Sequence, residues 1–305
     1  MSEIDAIRLN FTPESLILLD VILALVLFGV ALDMKVDDFR GIATAPRGTL
    51  IGLAAHSLAL PALAFLITLV LKPAPSIALG MLLVASCPSG NISNFLVNYA
   101  HGNTALSVTI AAFSMLGSIV FTPFNLAFWG SLNPATRTIL QEVALSPWEV
   151  FGTIIVLLAI PTALGMTIAH RYPAFAARAR RPFRILSLVF FAVFVVGGLV
   201  ANIEFFLDYV PRVALFVFLL NASALALGYG TAKLFRLPEA DRRAVSFEVG
   251  IQNSGFGLAL VFNFFGGLGG MALVAAWWGI WHLLAGSALA SWWRRRPPEG
   301  RWATT

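Results

Sequence analysis

The run Cys87-Pro88-Ser89-Gly90-Asn91-Ile92-Ser93-Asn94 governs the reading of this chain. It places a proline, a glycine and four hydroxyl or amide side chains inside an otherwise apolar stretch, residues 76–100. A second interruption, Glu248-Val249-Gly250-Ile251-Gln252-Asn253-Ser254-Gly255, falls inside the apolar stretch 244–265. Both read as broken helices, because backbone groups freed within a membrane are tolerated only where they line a polar cavity or are buried in protein. Paired interruptions in the two halves of a chain point to a transporter's binding site.

Working outward, 59% of the 305 residues are apolar and 11% are charged, with a mean hydropathy of +0.85. A typical soluble domain carries about 25% charged residues. The composition therefore requires lipid as the main solvent and excludes soluble-enzyme, disordered and nucleic-acid-binding classes. The single cysteine, Cys87, excludes an intramolecular disulfide and a multi-cysteine metal site.

Apolar runs of about 20 residues occur nine times, at 15–32, 48–71, 76–100, 104–129, 150–169, 185–203, 213–232, 244–265 and 271–293. The first lacks a basic n-region and a small-residue cleavage site, so it reads as an anchor and not a signal peptide. Lys35, Arg40 and Arg47 lie in one loop, Arg171, Arg178, Arg180, Arg181 and Arg184 in another, and Lys233, Arg236, Arg242 and Arg243 in a third. With Arg294, Arg295, Arg296 and Arg301 in the tail, nine alternating spans put sixteen of the twenty basic residues on one side. The positive-inside rule makes that side cytoplasmic. The expected topology has an extracellular segment 1–14, a cytoplasmic tail 294–305 and an inner (plasma) membrane location. The second to fourth spans and the seventh to ninth then form triplets of inverted topology, each with a broken middle helix, crossing near the bilayer centre.

Glu248 is the sharpest single residue. A carboxylate in mid-membrane survives when paired, protonated or holding a cation, and no Lys or Arg lies in any span. Neighbouring Gln252 and Asn253 add oxygens suited to a hard cation. Asp20, near an outer span end, reads as solvated. His56 and His282 are individually weak signals, and His101 and His170 fall at span ends.

These two motifs, with Gly102-Asn103, Ala105-Leu106-Ser107, Phe28-Gly29, Pro61 and Trp281-His282, resemble the bile acid:sodium symporter family over nearly the whole chain. The resemblance implies an all-α polytopic membrane protein with a panel domain, 15–32 and 150–203, beside a core domain, 48–129 and 213–293, broken near 88–94 and 249–255. It implies one sodium held by Ser93, Asn94, Ser107 and Glu248. A second would be held by Glu248 and Gln252 with backbone oxygens of Val249 and Ile251. Organic anions would meet Asn91, Asn253 and His282.

Two positions depart from the family pattern. Ala111 replaces a threonine of the first sodium site, and His56 replaces a glutamine of the second, so both sodium sites are expected to be weakened. A protonated His56 beside Glu248 would be a surrogate cation. Ser89-Gly90 also stands where Gly-Gly is commoner. The expected function is cation-coupled transport of an amphipathic monocarboxylate, bile-acid-like, pantothenate-like or a 2-oxo acid. No organic cofactor, nucleic acid or obligatory protein partner is expected. The alternatives are an arsenite-type efflux carrier using Cys87 and a proton-coupled or uncoupled carrier. An intramembrane enzyme would need a catalytic motif that no span contains.

Overall fold

The computed structural model describes residues 3–7, 13–32, 46–90, 92–143, 155–183 and 203–298, with 152, 185, 186 and 189. Asn91, the loop 33–45, most of the sixth expected span and the tail beyond 298 lie outside the described residues. The described fold is all-helical: α1 Glu3–Ala6, α2 Pro13–Ala31, α3 Pro46–Leu71, α4 Pro75–Ser86, α5 Ile92–Tyr99, α6 Thr104–Leu132, α7 Pro134–Val143, α8 Ile155–Arg171, α9 Ile203–Leu234, α10 Glu239–Gly250, α11 Ser254–Phe265 and α12 Gly269–Arg294. Helices α2, α3, α4 and α7 open on a proline, where the missing N–H has no intrahelical partner to lose.

Four stretches are long and apolar enough to cross a membrane, namely α3, α6, Leu207–Leu234 of α9, and α12. Their outer faces carry the apolar side chains that a soluble protein would hide, among them Val70, Leu66, Phe124 and Leu215. The two interrupted stretches instead supply the interior. Every residue of α4 from Ser76 to Ser86 is buried, and α11 is buried over most of its length. A helix apolar and covered all round belongs in the middle of a bundle. Close backbone approach lets α4 fit: a Cβ at its Gly80 would stand 2.9 Å from the Met271 Cα of α12.

Contacts at the helix ends sort them into two faces. On one, arginines donate to carbonyls left over at helix C-termini: Arg47 to Phe235, Arg180 to Leu32, and Arg243 to Ala100, Trp293 and Arg296. Unpaired terminal carbonyls and the negative end of the helix dipole favour these cations. At the other face the amino-terminal segment docks on helix N-termini. Asp5 Oδ1 accepts from the Ser76 amide at 2.8 Å, and the Ile7 carbonyl accepts from the Gly269 amide at 2.9 Å. Arg243 is thus a buried clamp and not a solvated loop charge.

Helix α3 widens into a π turn at Ala55–Ala59, just before Pro61. Proline cannot donate to the carbonyl four residues back, and Asn125 Nδ2 reaches that Ser57 oxygen at 2.9 Å instead. The widened turn carries His56 inward, with only 3% of its surface exposed.

Candidate cation and substrate site

The two breaks are narrower than the motifs that announce them. Among the described residues the first is Cys87–Gly90, and the second is Ile251–Asn253. They meet as a short antiparallel bridge between Ser89 and Gln252. The Gly90 amide donates to the Ile251 carbonyl and the Asn253 amide to the Pro88 carbonyl, each at 2.8 Å. Because those bonds flank Ser89 and Gln252, the two residues form a close, directly opposed pair with side chains on one face. Gly90 permits the approach, since a Cβ there would lie 2.9 Å from the Gln252 carbonyl oxygen.

Ending α10 early frees carbonyls that need partners. His56 Nδ1 stands 3.0 Å from the Glu248 main-chain oxygen, Gln252 Nε2 donates to Val249 at 2.7 Å, and Asn221 Nδ2 donates to Gly250 at 2.7 Å. On the other broken segment, Thr122 Oγ1 donates to the Ser86 carbonyl at 2.6 Å. Imidazole and amide side chains from α3, α9 and the break itself thus replace the lost helical donors.

Glu248 is fully buried in the last turn of α10. Its Oε1 accepts from Ser93 at 2.6 Å and Ser107 at 2.5 Å, and its Oε2 accepts from Ser89 at 2.5 Å. Ser107 also stands 2.7 Å from Asn94 Oδ1. Ser93 and Asn94 come from the first turn of α5, and Ser107 from the first turn of α6. Four positions expected together therefore form one oxygen cluster, with Ser93, Ser107 and Glu248 buried and Asn94 half-buried. One turn beyond Ser107, Ala111 adds no hydroxyl. Val249, Ile251 and Gln252 surround the break, and Gln252 Oε1 is buried without a hydrogen-bond partner. This donor set of hydroxyl, amide and carboxylate oxygens fits a small hard cation better than a soft one.

Asn253 caps α11, its Oδ1 accepting from the Phe256 amide at 3.1 Å. His282 is buried in α12 with Nδ1 unpartnered and packs edge-on to the Trp278 ring, 6.4 Å between centroids. Three positions earlier, a Cβ at Gly279 would come 2.8 Å from Ser254 Oγ, which sets α12 against the start of α11. Asn91 lies outside the described residues. Asp20 is not simply solvated, because its Oδ1 accepts from Asn263 at 2.7 Å, tying α2 to α11. Cys87 is fully buried, with its Sγ 3.1 Å from where a Gly257 Cβ would sit.

The sequence reading missed Asn221, Asn125 and the contact of Ser89 with Glu248. A lone amide in an apolar span signals the first two. Ser89 lay within a quoted motif, but its partner is 159 positions away.

A buried carboxylate cluster between two interrupted helices of an apolar bundle defines a multi-pass membrane protein of the transporter class. The chain belongs to the Sodium Bile acid symporter family, whose model matches residues 20–208. It is 30% identical over 276 residues to the uncharacterized sodium-dependent transporter YocS of Bacillus subtilis, covering 90% of this chain and 83% of that one. It is 26% identical to the probable sodium/metabolite cotransporter BASS1, chloroplastic, of Arabidopsis thaliana, over 91% of this chain and 67% of the relative. With the human ileal sodium/bile acid cotransporter it shares 25% identity over 77% of this chain and 66% of the relative.

Proposed function

We propose that this chain is a secondary active transporter that carries small organic anions by alternating access, with sodium binding at Glu248 as the coupled step. The observation that carries this reading is the fully buried Glu248 carboxylate, gathered by the hydroxyls of Ser89 in the facing break, Ser93 of α5 and Ser107 of α6. A charge there is costly unless a cation or hydrogen bonds offset it, and an ion seated in it would couple the two broken segments mechanically. Relatives named as sodium-dependent transporters and sodium cotransporters favour sodium as that ion.

In this reading the first cation position is Ser93, Asn94, Ser107 and Glu248. The second uses Glu248 and Gln252 with the Val249 and Ile251 carbonyls, and the anion meets Asn91, Asn253 and His282. Nine spans, the amino terminus outside and the carboxyl terminus inside the plasma membrane, divide into a panel of 15–32 and 150–203 and a core of 48–129 and 213–293. The sorting of arginine-capped C-termini to one face and the docked amino-terminal segment to the other supports that topology. Few charged groups and large apolar neighbours favour an amphipathic monocarboxylate. The close packing of Cys87 against Gly257 favours a structural thiol over a metalloid ligand.

The test is uptake into proteoliposomes of a panel of organic monocarboxylates, with sodium and pH gradients imposed separately. Sodium-driven accumulation of at least one acid is expected. Accumulation that follows only the pH gradient, or arsenite transport blocked by thiol reagents, would replace this reading.

A further inference from the structure

Glu248 Oε1 faces the serines at positions 93 and 107, whereas Oε2 faces Ser89 alone among the side-chain hydroxyls. The Ser89 oxygen is 2.5 Å from Oε2 and 3.4 Å from the Ile251 carbonyl oxygen. Its side chain shares a face with Gln252, whose Oε1 is a buried acceptor with no donor. Buried acceptors of that kind require a hydrogen-bond donor, a water or an ion. His56 does not fill the need, because no hydrogen bond joins its imidazole to Gln252 Oε1, and its Nδ1 stands 3.0 Å from the Glu248 main-chain oxygen.

From this geometry we propose that Ser89 is a cation ligand, completing a second position on the Oε2 side of Glu248 together with Gln252 Oε1 and the Ile251 carbonyl. The inference rests on the sodium-coupled reading above and adds a ligand which that reading does not contain. A carbonyl oxygen has two lone pairs, so Ile251 can accept from Gly90 and still face an ion. A hydroxyl likewise donates to a carboxylate while its own lone pairs face a cation. In this chain the oxygen forgone when an imidazole stands at position 56 is returned from position 89, on the opposite broken segment. The ion then bridges the two breaks directly.

The experiment measures radioactive sodium bound per chain, and sodium-dependent thermal stabilisation, for the purified full chain in nanodiscs without substrate, using choline as the reference salt. Wild type, Ser89→Ala, Ser89→Gly and Ser107→Ala are compared. The wild type is expected to bind two sodium ions. Both Ser89 variants should lose one, or need about 10- to 100-fold more sodium to fill it, the scale seen when a group around a metal is removed. Ser107→Ala should weaken the Oε1 position and leave the Oε2 position filled. Unchanged stoichiometry and affinity in the Ser89 variants would overturn the proposal, as would tighter sodium binding on removing the hydroxyl. A wild type that binds one ion also overturns it, while leaving sodium coupling intact; a wild type that binds none removes the coupling reading itself. Should Ser89→Ala fail to fold, Ser89→Gly and the wild-type stoichiometry still decide.

Discussion

Ser107 Oγ stands 2.5 Å from Glu248 Oε1 and 2.7 Å from Asn94 Oδ1, with one hydrogen to give to two acceptors. Only one of those contacts can be its donated bond. The other needs a proton on Glu248, a turned Asn94 amide or a cation drawing the three oxygens together. The cluster is thus short of one hydrogen-bond donor or one cation.

Replacing Glu248 by Gln keeps the shape and removes the charge. The variant is expected to fold, to lose sodium-dependent stabilisation, and to drop concentrative uptake by about tenfold or more. Uptake in proteoliposomes beside a thermal denaturation curve checks this. Wild-type accumulation by Glu248→Gln would mean that the carboxylate is not the coupling group.

Asn253 caps α11 through Oδ1, and in the proposed reading its amide NH2 meets the substrate. Ser at this position can still cap, so Asn253→Ser should lower substrate affinity with little change in Tm. Leu cannot cap, and Asn253→Leu should lose affinity and about 1 kcal/mol of stability. If the two variants have the same KM as the wild type, the amide faces no substrate.

His56→Leu leaves the Glu248 main-chain oxygen without the imidazole that now satisfies it. An orphaned buried acceptor costs about 1–3 kcal/mol, and the variant should denature at lower temperature. His56→Gln restores a donor with an oxygen beside it, so its stability should be near wild type and its sodium response stronger. Equal sodium dependence in wild type and His56→Gln would show that position 56 plays no part in the cation step.

Arg243 holds three carbonyls from the ends of two helices, bonds Glu239 at 3.1 Å, and lies 5.5 Å from the Trp293 ring centre. Lysine carries the charge but not the planar fork. Arg243→Lys and Arg243→Ala should both destabilise the bundle, Ala by about 2–4 kcal/mol, from the loss of charge-assisted bonds and the stranding of buried carbonyls. Tm and monodisperse yield in detergent report it. Uptake per folded molecule should change far less, because Arg243 bonds Glu239, Ala100, Trp293 and Arg296 and not the Glu248 cluster.

The sequence by itself determined the solvent, the interrupted stretches and the oxygen-bearing residues at them. Each of those follows from a local cost: an amide, a glycine or a carboxylate in an apolar run is unfavourable wherever the chain goes, so its presence marks a cavity or a break. Glu248, Ser93 and Asn94 were legible for that reason as polar residues of interrupted stretches, as was the apolar character of α3, α6 and α12, whereas Ser107 and the grouping of the four came from the family resemblance. Only the tertiary structure decided which donor serves which carbonyl. Ser89 meets Glu248 across 159 positions, His56 reaches its main chain across 192, and Asn221 covers Gly250 across 29. Arg243, which composition alone reads as a topology charge, became a clamp once the ends of two other helices closed around it. Hydrogen-bond partnership depends on ångström-scale approach between distant segments, and a span's polarity pattern records the need for a partner without recording its address.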